Sequence, residues 1–384
     1  MPSRLIIRSG ILALPSGPAR GDVLCEGGRI VAIGADLEPG DARVIEAGGY
    51  TVGPGLIDIH VHGGGGHSFF TRDAARIAAY SAWAPRNGVT AFLASTVGDD
   101  PGGTAAILAA LAPAVSATAG AEMLGFHREG PFINPARRGA FPANVLRAPA
   151  LAEWTQLAEA GRGAIRQVTI APELPGALEI IQAIAGSGAV AALGHTDATT
   201  AECAAGFDAG IRHVTHLFNA MRPIHQREGG PIVAALLDDR VTCELICDGA
   251  HVVPELLRMA YRLLGPERAV VVTDNLHLAG VEATSGSFAG EEVVVSGAKA
   301  AKADGTIVGS VATMDAHFRN AMHFLGIDTA TAFRLCSANP ARVAGVGNRK
   351  GRLEPGFDAD LVVLDEHLEV RATVCRGQVA FERR

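Results

Sequence analysis

The sequence predicts an α/β fold, a (β/α)8 TIM-like barrel with a small β-sandwich domain formed from both chain ends. Three observations predict it. The middle of the chain alternates short apolar, strand-like runs with amphipathic helical segments, the pattern of βα units. Eight such runs can be counted, the number a closed barrel needs. The two ends instead read as short strands broken by turns, so they pair into one β-rich unit. The expected boundaries are 1–53 with 345–384 for the β-sandwich, and 54–344 for the barrel.

At the N-terminal end, Leu5-Ile6-Ile7, Asp22 to Glu26 and Arg29 to Ile33 are β-rich, and Gly27-Gly28 between the last two is a hairpin signal. At the C-terminal end, Leu361-Val362-Val363-Leu364 precedes a second hairpin around Arg376-Gly377. Between them the strand candidates are 55–62, 90–96, 122–129, 167–172, 189–195, 213–216, 241–247 and 269–274. Segments 73–86, 151–161 and 199–210 are the clearest helices. A Gly-rich stretch at 278–308, with Glu292-Val293-Val294-Val295, reads as an insertion. After it Val311, Met314, Phe318, Met322 and Leu325 fall at helical spacing.

The chain has 384 residues, 48% of them hydrophobic, enough for a large core, and a net charge of −7. No basic cluster suggests a nucleic-acid surface, and no apolar run is long enough to suggest a membrane span. Cys25, Cys203, Cys243, Cys247, Cys336 and Cys375 are scattered without a CxxC pair, so they are expected to be small buried hydrophobes in a reducing compartment. With no apolar leader after Met1, a cytoplasmic enzyme is expected.

The chemistry-bearing residues sit at the C-terminal ends of the strand candidates, which in a barrel form the catalytic face. His60 and His62 end the first, Glu129 the third, His195 the fifth, His216 the sixth and Asp274 the eighth. In His60-Val61-His62, period two puts both rings on one face. HxH alone would as readily be a packed pair, and a lone strand-end histidine or glutamate is usually structural or solvated. Five nitrogen and oxygen donors converging on one mouth favour a divalent metal site. Asp274 beside it could carry a proton, although a loop aspartate is more often a cap. His213, three residues before His216, could also point inward, but alternation places it opposite His216. Asn219, Arg227 and His251 could bind a sugar or an anion, Arg through its planar fork, against the ordinary reading of solvated loop residues.

The motifs resemble those of the N-acetylglucosamine-6-phosphate deacetylase family of the amidohydrolase superfamily. Pro54-Gly55-Leu56-Ile57-Asp58-Ile59-His60-Val61-His62-Gly63 is similar to the superfamily's opening motif. His127 to Phe132 resembles HxEGPF, Gly194-His195-Thr196 the GHT element, and His216 to Met221 with Arg227-Glu228 the HLFNAM…RE signature. Asp248-Gly249-Ala250-His251-Val252, Thr273-Asp274, Gly309-Ser310 with Thr313-Met314, Asn339-Pro340-Ala341 and the segment 351–365 continue it, so the resemblance covers nearly the whole chain.

The resemblance implies hydrolysis of the acetamide of a phosphorylated N-acetyl amino sugar by a homodimer. It implies one or two divalent ions, with zinc first and iron, manganese or cobalt also suited to these ligands. Glu129, His195 and His216 would hold the metal present throughout the family, and His60 and His62 a second. Asp274 would be the general base and then the general acid. Asn219 and Ala220 through their backbone, with Arg227, would bind phosphate, and His251 a sugar hydroxyl. Ala140, Phe141, Ile307, Val308 and Gly309 would line the pocket.

Departures from the family's pattern fall on substrate-facing loops. Arg128 stands where Leu is common, directed away from the metal and so in need of solvent or a partner. Phe141 replaces a histidine that contacts sugar. Gly229 stands for proline, and Asn275-Leu276-His277 replaces small residues, with His277 expected at the mouth. Related readings are deacetylation of N-acetylgalactosamine 6-phosphate or of an N-acyl amino acid, and, from another class, a catalytically silent binding homologue.

Overall fold

The computed structural model describes residues 4–14, 16–97, 100–117, 119–288 and 290–383. Eight parallel strands form the central sheet: β1 (Leu56–Val61), β2 (Val89–Thr96), β3 (Glu122–Glu129), β4 (Ile165–Ile170), β5 (Val190–Leu193), β6 (Ile211–Val214), β7 (Thr242–Ile246) and β8 (Ala269–Val272). They pair in strict sequence order, the topology of a (β/α)8 barrel. Every strand candidate of the sequence corresponds to one of them. The helices α1 (Ala74–Trp83), α2 (Pro101–Leu111), α3 (Leu151–Ala160), α4 (Ala177–Gly186), α5 (Thr200–Ala209), α6 (Gly230–Leu237), α7 (Pro254–Arg268) and α8 (Met314–Leu325) follow the strands one for one.

Local chemistry sets the helix starts. Asp73 accepts the Ala75 N–H at the start of α1, and Thr199 with Glu202 forms a reciprocal capping box on α5. The helices pack Ile77, Ile180, Ile181, Phe207, Leu257 and Phe318 onto the sheet, all fully or nearly fully buried.

The barrel closes between β1 and the turn after β8. The His62 N–H donates to the Asn275 carbonyl at 2.8 Å and the Asp274 N–H to the His60 carbonyl at 2.8 Å. The Thr273 hydroxyl donates to buried Asp58 at 2.6 Å, and Asp58 also accepts the Thr273 N–H. This aspartate of the opening motif therefore staples the closing seam. Burial outweighs those hydrogen bonds and pushes its carboxyl up to about 7.

A second sheet is built from the chain ends: Arg4–Leu14, Gly17–Glu26, Arg29–Gly34, Arg43–Glu46 and Thr51–Pro54 with Leu361–Leu364, Val370–Cys375 and Gln378–Glu382. The two ends join where Thr51–Pro54 pairs antiparallel with Leu361–Leu364. Its core is Leu5, Ile7, Leu12, Val23, Ile30, Val52, Leu361 and Val363. Both hairpins turn through left-handed backbone, at Gly27 and Gly28 (φ 58° and 80°) and at Arg376 and Gly377 (47° and 76°), as two-residue hairpins of this type require.

The segment between the sheets carries a buried ion cluster. Lys350, only 1% exposed, reaches Glu122 at the start of β3 at 2.8 Å and Asp358 at 3.0 Å, and also pairs with Asp360; Arg349 pairs with Glu122 at 2.7 Å. The 278–308 insertion is a four-stranded antiparallel meander, Ser285–Phe288, Glu291–Ser296, Lys299–Ala301 and Ile307–Ser310, packed through Leu276, Leu278, Val293 and Ala300. The six cysteines are free and buried. Among the described residues no helix is long and apolar enough to cross a membrane.

Candidate metal centre and substrate pocket

The predicted ligands converge on one cluster at the C-terminal end of the barrel. Glu129 is its centre. Its Oε1 lies 3.0 Å from His195 Nε2, 3.1 Å from His216 Nε2 and 3.6 Å from His60 Nε2, while Oε2 lies 3.2 Å from His62 Nε2. Asp274 Oδ1 stands 3.4 Å from His60 Nε2 and 3.3 Å from His62 Nε2. Two triads of donor atoms result, each within 4.8 Å: Glu129, His195 and His216, and His60, His62 and Asp274. Sequence reasoning named Asp274 as proton carrier only; the structure also gives its carboxylate a ligand's position.

Three of these residues lie just past their strands in left-handed backbone: His195 (φ 49°), His216 (29°) and Asp274 (53°). Such conformations cost a non-glycine residue about 1–3 kcal/mol and persist where hydrogen bonds over-determine them. His195 is held by its carbonyl, which accepts from the Asn134 N–H at 2.9 Å, and by its Nδ1, which donates to the Arg137 carbonyl at 2.9 Å. The latter bond leaves Nε2 with its lone pair toward Glu129 and the cluster. The His216 N–H donates to Glu244 at 2.9 Å. The Asp274 carbonyl accepts from Ser310 at 2.9 Å. Gly194 precedes His195 because its backbone passes between Thr169 and Thr215; a Cβ there would lie 2.7 Å from one and 2.9 Å from the other.

The turn at His216 corrects one expectation. His213 does not face away. Alternation stops with β6 at Val214, and His213 points into the barrel, where its Nε2 donates to Glu244 at 3.0 Å. Glu244 itself escaped sequence reasoning. The available signal was a lone carboxylate within the apolar run Val241–Cys247.

The electrostatics favour positive charge. Burial pulls the His60 ring down, but the carboxylates of Glu244, Glu129 and Asp274 outweigh it and raise its pKa well above the usual range. Burial also opposes His62, yet Asp274 and Glu129 lift it to about 9. Burial would raise Glu129, but the surrounding histidines hold it well below the usual carboxylate range. Among the described residues, every ion-pair partner of Glu129, Asp274 and Glu244 is a histidine. The His60 Nε2 is buried without a hydrogen-bond partner. The two carboxylates and four imidazoles of the two triads offer nitrogen and oxygen donors suited to one divalent ion or two.

A pocket of about 290 Å³ opens over the cluster, lined by His62, Glu129, His195, His216 and Asp274 below and by Ala140, Phe141, Asn219, Ala220, His251, Phe288, Thr306, Ile307 and Val308 around it. Asp248 accepts from His251 Nδ1 at 2.6 Å, which aims His251 Nε2 toward Asp274 Oδ2 at 3.9 Å. Phe141 packs edge-on against the His195 ring, centroids 5.0 Å apart.

Two residues expected at the pocket lie outside its lining. Arg227 is exposed on the loop after His216. Gly309 lies against the Asp274 turn instead, where a Cβ would come 2.7 Å from the Asp274 carbonyl oxygen. His277, expected at the mouth, lines an adjoining cavity of about 250 Å³ that shares His62 and Phe288 with the pocket. Arg128 is wholly buried and donates to the Thr96 carbonyl.

A polar cluster of histidines and carboxylates at the catalytic end of a (β/α)8 barrel, at the floor of a pocket, defines a metal-dependent hydrolase. The chain belongs to the amidohydrolase family, whose model matches residues 51–380. It is 37% identical over 335 residues to the N-acetylglucosamine-6-phosphate deacetylase of Bacillus subtilis (strain 168), covering 85% of this chain and 84% of that one. It is 34% identical to the N-acetylgalactosamine-6-phosphate deacetylase of Escherichia coli O157:H7, covering 90% and 92%. Among solved structures, N-acetyl-D-glucosamine-6-phosphate deacetylase from Mycobacterium smegmatis, in complex with N-acetyl-D-glucosamine-6-phosphate, superposes with a TM-score of 0.92 at 36% identity, covering 98% of this chain and 99% of that one.

Proposed function

We propose that the chain hydrolyses the acetamide of N-acetyl-D-glucosamine 6-phosphate to glucosamine 6-phosphate and acetate. The observation that carries this reading is the Glu129-centred double triad with Asp274 at the floor of the pocket, in a chain whose relatives bear that activity in their names. Glu129, His195 and His216 would hold one divalent ion, and His60 and His62 with Asp274 a second; zinc would suit this donor set best. When bound, such ions acidify water and polarise an amide carbonyl.

The chain's own groups do the rest. The Asp274 carboxylate accepts the proton of the attacking water and returns it to the departing sugar nitrogen, without which the amine is a poor leaving group. His251, aimed by Asp248 through its Nδ1–H, offers its Nε2 lone pair to a sugar hydroxyl. Ala140, Phe141, Ile307 and Val308 form the apolar walls that exclude water. The Asn219 and Ala220 backbone faces the phosphate end, with Arg227 on the exposed rim; Gly309 serves by fitting the Asp274 turn.

The enzyme works in the cytoplasm, as a homodimer, and is divided into a barrel (54–344) and an end-built β-domain (1–53 and 345–384). The dimer reading is supported by an exposed apolar stripe along α7 and its N-cap residue, Val253, Leu256, Met259 and Leu263. The test is kcat/KM on N-acetylglucosamine 6-phosphate, N-acetylglucosamine and N-acetylgalactosamine 6-phosphate. The gluco-configured phosphate should be turned over best. Equal turnover of the unphosphorylated sugar would refute the assignment, and preference for the galacto isomer would move it to that sugar.

A further inference from the structure

Glu244 lies in the middle of β7, wholly buried, and is not itself part of the pocket lining. Its carboxylate receives four donors. Oε2 accepts from His60 Nδ1 at 2.8 Å and from the His216 backbone N–H at 2.9 Å. Oε1 accepts from Gln167 Nε2 at 2.8 Å and His213 Nε2 at 3.0 Å. Its carbonyl accepts the Leu217 N–H at 3.0 Å. An acceptor-only group in this position forces His60 to carry its proton on Nδ1, so the Nε2 lone pair faces Glu129 and Asp274. The same oxygen holds His216 in its left-handed conformation.

We propose that Glu244 is the positioning residue of the metal centre: one carboxylate fixes the His60 tautomer and anchors the His216 backbone, joining the two triads beneath their ligands. The proposal rests on the metal reading above. Its effect is uneven by construction. The His60 contact is to the ligating ring itself, whereas His216 is held through its backbone and its ring is also fixed by Glu129 and His195. A glutamine at 244 keeps the shape but supplies an amide N–H₂ where two of the four donors now point. The affinity of the His60–His62 half-site should then fall about 10–100-fold, the usual effect of losing a histidine's outer partner. The Glu129–His195–His216 half-site should hold its ion.

The test is elemental analysis of wild type and Glu244→Gln after dialysis against graded chelator, with the visible spectrum of the cobalt-substituted proteins as a second signature. Wild type should carry two ions per chain. Glu244→Gln should carry one at chelator concentrations where wild type keeps two, and its cobalt spectrum should match that of His60→Gln. If wild type never binds two ions, the two-ion reading fails and this proposal with it. If wild type binds two and Glu244→Gln releases both together, or keeps both at the wild-type midpoints, the proposal alone is overturned. Should Glu244→Gln not fold, Glu244→Asp, which withdraws the carboxylate from His60, is read by the same outcomes.

Discussion

At the residue scale, the predictions concern Asp274 and Phe141. Asp274→Asn keeps the size and removes the proton acceptor, so kcat on the phosphorylated substrate should fall about 10²–10⁴-fold while the melting temperature holds. Retained turnover would reassign the base. Phe141 offers the substrate a ring edge where a histidine would offer a donor. Phe141→His should lower KM about fivefold, the worth of one added hydrogen bond; an unchanged KM in steady-state kinetics would show that the sugar does not reach this wall. The convergence of His60, His62, Glu129, His195, His216 and Asp274 was legible because each ends a strand-like run. Glu244, Gln167 and His213 were not, because a polar residue within a strand does not reveal from one sequence whether it faces the barrel axis. His213 was misdirected because alternation presumes that the strand continues to His216, and the chain turns left-handed first. Arg227 could be named from its motif, but its distance from the pocket depends on a loop path that residue types do not specify.

At the element scale, the eight strands and their helices were readable from periodicity and turn signals, down to the Gly27-Gly28 and Arg376-Gly377 hairpins. What the segment 349–360 does was not readable, since it depends on contacts with Glu122 far away in the chain. Lys350→Met would leave Glu122, Asp358 and Asp360 gathered around an apolar side chain. Breaking such a buried pair costs about 3–5 kcal/mol, and urea unfolding should show it while turnover per folded molecule is unchanged. The same cluster predicts acid sensitivity. Burial would raise Glu122, but Arg349 and Lys350 outweigh it and hold its carboxyl at about 2. A folded pKa below the unfolded one gives stability that is complete above the ordinary carboxylate range and lost as pH falls through about 2. The urea midpoint of wild type should therefore drop between about pH 5 and pH 2 more steeply than that of Glu122→Gln.

At the scale of the whole molecule, α7 turns Leu257, Ala260 and Leu264 inward and leaves Val253, Leu256, Met259 and Leu263 outward, with Ile224 also exposed. These apolar residues stand among exposed Glu255, Arg258 and Arg262, and an apolar stripe on an outer helix face is expected where a second surface covers it. Leu256→Glu with Met259→Glu should convert a dimer to monomers in light scattering at micromolar concentration; an unaltered mass would place the interface elsewhere.

The seam that closes the barrel has a kinetic consequence. Asp58 and Thr273 are 215 residues apart in sequence, and His60, His62 and Asp274 lie on the two edges they join. Contacts of such separation come late in folding, after the chain between them is ordered. The His60–His62–Asp274 half of the centre thus exists only once the ring is complete. An ion seated there ties first strand to last and so acts as a clasp. In the metal-free chain, amide exchange should be fastest among the seam donors His62 and Asp274, and loading should slow it there before it slows anywhere else.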